Sequence, residues 1–450
     1  MKRSETDMIH GPLAKKIFLF AVPLALSSML QQLFNAADLA VVGQFASPNA
    51  MAAVGSNASV ISLLVSLFTG LALGANVIVG NLIGAGKKEE IHDAVHTSIT
   101  VALISGLFLL IVGILIARPI LTLMGAPKEV IDLATLYLRI YFCGMPAMML
   151  YNFGSAVLRS KGDSTRPFLA LTFAGVINIL LNLLFVVVFH LHVIGVGLAT
   201  VLSNCISGGL VLYFLLTEED QFRLVLKDLH INMHLLKKII MIGIPAGMQG
   251  MLFSISNVVI QAAVNSFGAD CIAGMTAAQY FDFLSFCLMS SFAQTCTTFV
   301  SQNFGAGDLE RCGRVRRISL GMGLGLDVIF VATIVLLKDY LILLFTRDPA
   351  VIEYAMIKVN YAFVFHFLVG TYEITGGALR GMNKSMVPTL ISLIGTCAVR
   401  LVYVLTIFPF IRTPAALVIV YPLTWTITGT AMNIAYYIIM SKWRKRNVLT

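Results

Sequence analysis

Four carboxylates lie inside long apolar runs of this 450-residue chain: Asp38, Asp282, Asp327 and Glu373. A carboxylate at a bilayer centre costs about 2.5–3.5 kcal/mol or more unless it is paired, hydrated or neutralised, so each marks a candidate functional position. Asp38 has the strongest claim, because Phe34-Asn35-Ala36-Ala37-Asp38-Leu39-Ala40-Val41 carries no basic neighbour. At about 1.5 Å of helical rise per residue, Asp38 falls roughly 9 Å below the outer end of its helix, Asn182 roughly 10 Å and Thr200 roughly 8 Å below the outer ends of theirs. Asn178 lies one turn deeper than Asn182 on the same face. One carboxylate, two amides and a hydroxyl are therefore expected at one level. That set suits a single hard monovalent cation such as sodium, or a carboxylate that takes up a proton. It favours such a site over an ion-free Asp–Asn clamp between helices.

The other acids are read against their neighbours. Glu373 precedes Arg380 by two turns and faces a cavity or pairs with Arg400 or Lys358. Asp282, with Gln261 and Tyr280, is a candidate for a substrate cavity or for a bond across helices. A structural partner such as Arg400 is expected for either Asp282 or Asp327. His366, alone in Phe363-Val364-Phe365-His366-Phe367, reads as a hydrogen-bonded core residue. Met145, Met148, Met149, Tyr151 and Phe153, near Pro146, are candidates for an adaptable cavity wall, since methionine and aromatic faces accommodate varied apolar and cationic ligands. The seven cysteines show no CxxC or His-paired spacing. No HExxH, paired-acid or Ser/His arrangement is present, which argues against an enzyme and against a bound cofactor.

These side chains must be held by membrane helices. The chain is 58% hydrophobic and only 12% charged, with a mean hydropathy of +0.89, whereas soluble domains carry about 25% charged residues. In hydrocarbon every backbone group needs an internal partner, so long unbroken apolar runs read as helices. Twelve are expected, at about 14–43, 51–82, 93–117, 128–158, 168–190, 195–217, 239–267, 271–302, 317–338, 349–379, 386–409 and 415–441. Of the 31 Lys and Arg, 23 fall at the N-terminus (Lys2 and Arg3 among them), in the loops after even-numbered helices, and in the C-terminal tail. Five fall on the opposite side: Arg118, Lys128, Lys338, Arg347 and Arg412. This bias places both termini in the cytoplasm, in an inner (cytoplasmic) membrane. It also accounts for the net charge of +9 without a nucleic-acid partner. No removable signal peptide is expected at the N-terminus.

The chain is also written twice. Lys15-Lys16, Pro23, Asn35, Phe45, Gly84-Ala85-Gly86, Arg159 and Pro167 recur as Lys237-Lys238, Pro245, Asn257, Phe267, Gly305-Ala306-Gly307, Arg380 and Pro388, at offsets of 237−15 = 222 and 388−167 = 221. Six helices per half make the repeat parallel, as in transporters built from two homologous bundles. The domains read as 1–217, a six-helix bundle; 218–238, a polar linker; and 239–450, a second bundle. In the linker, Leu224, Leu226, Leu229 and Ile231 suggest an interfacial amphipathic segment, with a solvated linker equally admissible. The Gly-Ala-Gly motifs read as left-handed helix ends. Pro167 reads as the first residue of a helix capped by Ser164 or Thr165.

Several of these motifs resemble the multidrug and toxic compound extrusion (MATE) family in order and spacing, over about residues 12–440. They are Pro23 with Asp38, the paired Gly-Ala-Gly turns, Leu158-Arg159 with Gly162-Asp163-Ser164 and Pro167, and Asn178-Ile179-Leu180-Leu181-Asn182 followed by Gly195-Val196-Gly197-Leu198-Ala199-Thr200. The second half repeats the pattern with Thr297-Thr298-Phe299 and Ala378-Leu379-Arg380-Gly381. The resemblance implies an all-α polytopic membrane protein of twelve helices in two bundles, V-shaped around a central cavity. It implies a sodium- or proton-driven antiporter, working as a monomer in lipid on small organic, often cationic or amphipathic compounds. A flippase for a lipid-linked precursor, on a related fold, is the alternative. By matching positions it carries cation coupling to Asp38, Asn178, Asn182 and Thr200. Many members have an aspartate where this chain has Asn182. Family acids in the second half correspond to about Phe253 and Val369, both apolar, so that site does not carry over. Pro23 breaks the hydrogen-bond ladder of helix 1 and offers a hinge.

Overall fold

A computed structural model describes residues 6–45, 48–124 and 129–447. Lys2, Arg3 and Lys128, counted above for orientation, lie outside them. Every regular element among the described residues is helical. The first repeat holds α1 (Leu13–Phe45), α2 (Pro48–Gly84), α3 (Lys88–Leu123), α4 (Ile131–Cys143), α5 (Met145–Lys161), α6 (Thr165–Asn182) and α7 (His192–Leu216). The second holds α8 (Met233–Asn265), α9 (Ala269–Gly305), α10 (Leu309–Leu341), α11 (Pro349–Tyr361) and α12 (Leu368–Gly381). It ends with α13 (Met386–Ser392), α14 (Val399–Val402), α15 (Phe408–Ile411) and α16 (Pro414–Asn447). Ten helices among the described residues are long and apolar enough to cross a membrane, counting Met386–Ile411 as one. The pairs α4–α5 and α11–α12 complete up to twelve spans, bent by 47° and 45°. Leu115 is 68% exposed and Leu336 80%, an apolar outside suited to lipid rather than water.

The two bends have local causes. The first falls at Gly144, followed by Pro146, whose ring removes a helical N–H. The second is a tight 3-10 turn at Phe363–Phe365. Wider π turns also recur between the repeats, at Leu183–Val188 after α6 and at Tyr403–Ile407 between α14 and α15. Duplication has thus preserved these irregular places, while a further π turn, Leu393–Ala398, falls where α6 of the first repeat is regular. Gly86 (φ +68°) and Gly307 (φ +80°) take the left-handed conformation expected of the Gly-Ala-Gly turns. The start of α6 differs from expectation. Asp163, not Ser164 or Thr165, caps it, its Oδ1 accepting from the N–H groups of Thr165 (2.9 Å) and Arg166 (3.0 Å). Pro167 is consequently the third residue of the helix rather than the first.

The chain forms two compact units, divided inside α1 and α8 rather than at the 218–238 linker. One unit takes in Val22–Gly247; the other takes in Ile9–Ala21 and the chain from Met248 onward. The cuts fall beside Pro23 and Pro245. Within the first unit, α5 is the central helix, packed by α2, α3 and α7, and Phe142, Met149 and Phe153 are fully buried around it. The start of α8 also belongs here. It lies so close to α2 that a Cβ on Gly70 would come within 2.3 Å of the Gly247 nitrogen, a small-residue contact of the kind that lets membrane helices touch through their backbones. In the second unit α9 is central, packed by α10, α11 and α12.

The linker is neither an interfacial amphipathic segment nor a solvated tether. Phe222 and Leu224 are buried in the apolar core of the first unit, while Leu226 is exposed. The Val225 N–H donates to His96 Nε2 (3.0 Å) and the Asn232 N–H to Thr97 Oγ1 (3.0 Å), so side chains of α3 satisfy the strap's backbone.

Candidate cation site and the cavity of the second unit

The site around Asp38 is assembled by a close approach of α1 to α6. Gly175 makes it possible: a Cβ there would lie 1.8 Å from the Phe34 ring. Phe34 is one turn before Asp38, and Gly175 is one turn before Asn178 and two before Asn182. Their contact therefore brings the carboxylate onto the amides. Asn182 donates from Nδ2 to Asp38 Oδ1, and also to Asn178 Oδ1 at 3.2 Å. Thr200 Oγ1 donates to Asp38 Oδ2 at 3.4 Å, while also reaching the Val196 carbonyl at 3.0 Å. Asp38, Asn178 and Asn182 are buried. Tyr137 packs with Val42, Val186, Val193 and Val196 in the apolar cluster beside them. The four residues expected to converge do so.

Asp38 has no ion-pair partner among the described residues, and the Asn182 Oδ1 is buried with no hydrogen-bond partner. Carboxylate, amide and hydroxyl oxygens surrounding a buried acid fit a hard monovalent ion. They fit a protonated carboxyl equally, since the orphan amide oxygen can accept its O–H. No group of three or more His, Cys, Asp or Glu suited to a transition metal occurs among the described residues.

In the second unit the acids have partners that sequence spacing does not reveal. Asp327 accepts from Ser285 Oγ and lies 3.4 Å from His366 Nδ1, with Ser285 Oγ 2.7 Å from the same nitrogen. Arg400 is not its partner. That guanidinium instead donates to Asn257 Oδ1 (3.3 Å) and Thr424 Oγ1 (3.4 Å) and stacks on the Tyr421 ring, 4.5 Å from its centre. His366 is the hydrogen-bonded core residue expected. Asp282 forms an ion pair with Lys358 at 3.0 Å. Glu373 is partly buried and makes no ion pair with Lys358 or Arg400 among the described residues.

Of the expected cavity residues, Gln261 lines a real cavity, together with Asn257, Gln279, Lys358 and Tyr421. Tyr280 instead stacks on Phe345, with ring centres 5.4 Å apart. Met149 is corrected to a packing role: it has no exposed surface and lies in the first unit's core, so methionine composition alone misplaces it. Sequence reasoning misses Lys358, Asn257 and Gln279 as a set. Their one signal is a lysine inside an apolar run, which reads first as a partner for the acids.

An all-helical, duplicated membrane protein with a buried acid ringed by neutral ligands belongs to the class of transporters. The MatE family model matches residues 23–184 and 245–406, once in each repeat, and the chain belongs to the MATE family of membrane transporters. It is 28% identical to a probable multidrug resistance protein, YoeA, of Bacillus subtilis, over 84% of this chain and 83% of that one. It is 23% identical to a FAD transporter of Shewanella oneidensis, over 86% of each. A crystal structure of MATE in the bent conformation superposes with a TM-score of 0.91 at 22% identity, covering 98% of both chains, and shares the fold.

Proposed function

We propose that this chain is a cation-driven antiporter that exports small amphipathic organic compounds by alternating access. It works as a monomer in the inner membrane, with both termini cytoplasmic. The observation that carries the reading is Asp38: a buried acid that, among the described residues, has no basic partner and is met by the neutral side chains of Asn182 and Thr200. Such an acid is costly to leave ionised in a membrane, so the state of the unit depends on whether a sodium ion or proton is bound. Pro23 stands beside the point where α1 passes from one unit to the other. A proline there removes one rung of the helical ladder and supplies a place to bend.

The cargo need not be cationic. The intramembrane acids Asp282 and Asp327, which suggest a cationic cargo when read in the sequence, already have basic or hydroxyl partners. A relative described as a FAD transporter points the same way, because FAD is an anion.

The test is export from inside-out vesicles under imposed sodium or proton gradients, followed with ethidium and tetramethylrhodamine. Asp38→Asn keeps the shape of the site but removes its charge. It should lower gradient-driven export by about tenfold or more, without lowering the amount of folded protein in the membrane. Pro23→Ala should slow export while leaving dye binding in place. Export by Asp38→Asn at the wild-type rate would end the coupling role.

A further inference from the structure

The second unit holds a cavity of about 290 Å³, near the lower end of the ~300–1,000 Å³ usual for small-molecule sites. Its position follows from the duplication. Three of its lining residues are Ile260, Lys358 and Tyr421. At offsets of 260−38 = 222, 358−137 = 221 and 421−200 = 221, they stand where the first unit has Asp38, Tyr137 and Thr200. The cavity is thus the repeat counterpart of the Asp38 site, with its charge inverted. The carboxylate position has become an isoleucine, and a tyrosine position has become a buried lysine.

Hydrogen bonding orients the rest of the lining. Lysine and arginine can only donate, so an amide beside either must offer its oxygen. Lys358 Nζ accordingly binds Gln279 Oε1, and Arg400 Nη1 binds Asn257 Oδ1. Gln279 and Asn257 both line the cavity. With their oxygens taken, each is left with its NH₂ group. Lys358 itself adds an ammonium to the wall. Arg400 and Asp282 do not line the cavity; Asp282 pairs with Lys358, so two cations stand against one carboxylate. Arg400 has no carboxylate partner among the described residues. The cavity therefore presents donors from Lys358, Gln279 and Asn257 beside one amide acceptor, Gln261, whose Nε2 donates to Asn265 Oδ1 (2.9 Å), and it is backed by a surplus positive charge, in a membrane setting where such charges are screened little.

We propose that this cavity binds an anionic group, carboxylate or phosphate, of the exported compound, so that the two repeats hold charges of opposite sign: a cation at Asp38 and an anionic cargo group at Lys358. This rests on the export reading above. The donors are aimed by buried charges that the cargo does not need to move, and an entering carboxylate competes with Asp282 for one ammonium. Charge-assisted hydrogen bonds of this kind are about twice as strong as neutral ones.

The test compares two dyes of the same ring system, tetramethylrhodamine, with its free carboxylate, and its methyl ester. Binding to the purified full-length protein in phosphatidylcholine nanodiscs is read by fluorescence polarisation, with no gradient imposed. The acid should bind about tenfold tighter than the ester, a ratio equal to about 1.4 kcal/mol. Lys358→Gln with Asp282→Asn, which removes the ammonium from the wall without stranding Asp282, should narrow the ratio. Gln279→Leu, which leaves the Lys358–Asp282 pair intact, should narrow the ratio. Equal affinities in the wild type, no binding of either dye, or an unchanged ratio in both variants overturns the proposal. Displacement of the acid dye by phosphatidylglycerol but not by flavin mononucleotide would assign the site to lipid and overturn the cargo assignment. If gradient-driven export were absent, the export reading would fall while the binding ratio still stood.

Discussion

At the scale of single residues, Asn182 decides how the first-unit site behaves. Its NH₂ group serves Asp38 and Asn178, while its buried Oδ1 serves nothing among the described residues. A buried acceptor without a donor costs about 1–3 kcal/mol. Rotating the amide by half a turn would exchange the two ends, offering oxygen to a bound sodium ion or to the O–H of a protonated Asp38. Asn182→Leu removes both ends and should cut gradient-driven export about tenfold, with the acid-dye preference of the second unit unchanged. Asn182→Asp places two carboxylates together, where both cannot ionise freely, so one holds a proton. Export should persist in that variant and become more steeply pH-dependent; rates measured across a pH series check both. The Asp38 set is legible in the sequence because helical rise is fixed and an unpaired intramembrane acid is conspicuous. The partners of Asp282 and Asp327 are not. They depend on which faces of α9, α10 and α11 meet, and sequence spacing gives depth along one helix but no rotation between helices. Arg400 illustrates the loss: its depth suits an acid, yet its side chain turns to Asn257 and Tyr421.

At the scale of elements, the Asp38 site exists because α1 and α6 touch across Gly175. Any side chain at that position must displace the Phe34 ring, one turn before Asp38 on the same helix. Overpacking of this kind costs about 1–3 kcal/mol. Gly175→Ala should therefore lower the thermal unfolding midpoint and weaken export together. Adding Phe34→Leu, which frees the space, should recover most of the stability. Recovery of neither in the double variant would mean the contact does not set the position of α1. Element existence is legible from apolar run length, as are the doubled turns at Gly86 and Gly307. The 47° bend at Gly144 is not, since one unbroken apolar run spans α4 and α5 and hydropathy carries no direction. The linker misleads for a related reason: Phe222 and Leu224 find a protein core, and periodicity alone does not distinguish that core from a lipid surface.

At the scale of the whole molecule, the two repeats are joined by a strap fastened to the first unit along its length. Its anchor is Glu218, just past α7, ion-paired with Lys161 of α5 (2.7 Å) and with Arg166 of α6. Arg166 is held in turn by Asp163, the cap of its own helix. From this anchor the strap runs over α3 and delivers the start of α8 against Gly70 of α2. Burial alone would raise the Glu218 carboxyl, but hydrogen bonds from Lys161 and Arg166 outweigh burial and hold it below the ordinary value of 4.5. The sign follows. A carboxyl depressed in the folded state contributes its full stability above the unfolded pKa and loses it as pH falls through the folded pKa. Glu218→Gln removes the carboxylate shared by Lys161 and Arg166, the latter keeping Asp163, and should cost about 1–3 kcal/mol, seen as a lower unfolding midpoint at neutral pH. The gap between wild type and variant should stay constant from neutral pH down to about 4.5, then close as Glu218 takes up its proton. A gap that stays open below about 4.5 would remove the Glu218 ion pairs as the fastening. Because the strap holds the start of α8 and not the cavity at Lys358, the same variant should bind the acid dye with wild-type preference. Loss of that preference would show that the strap's hold on α8 extends past Pro245 to Asn257.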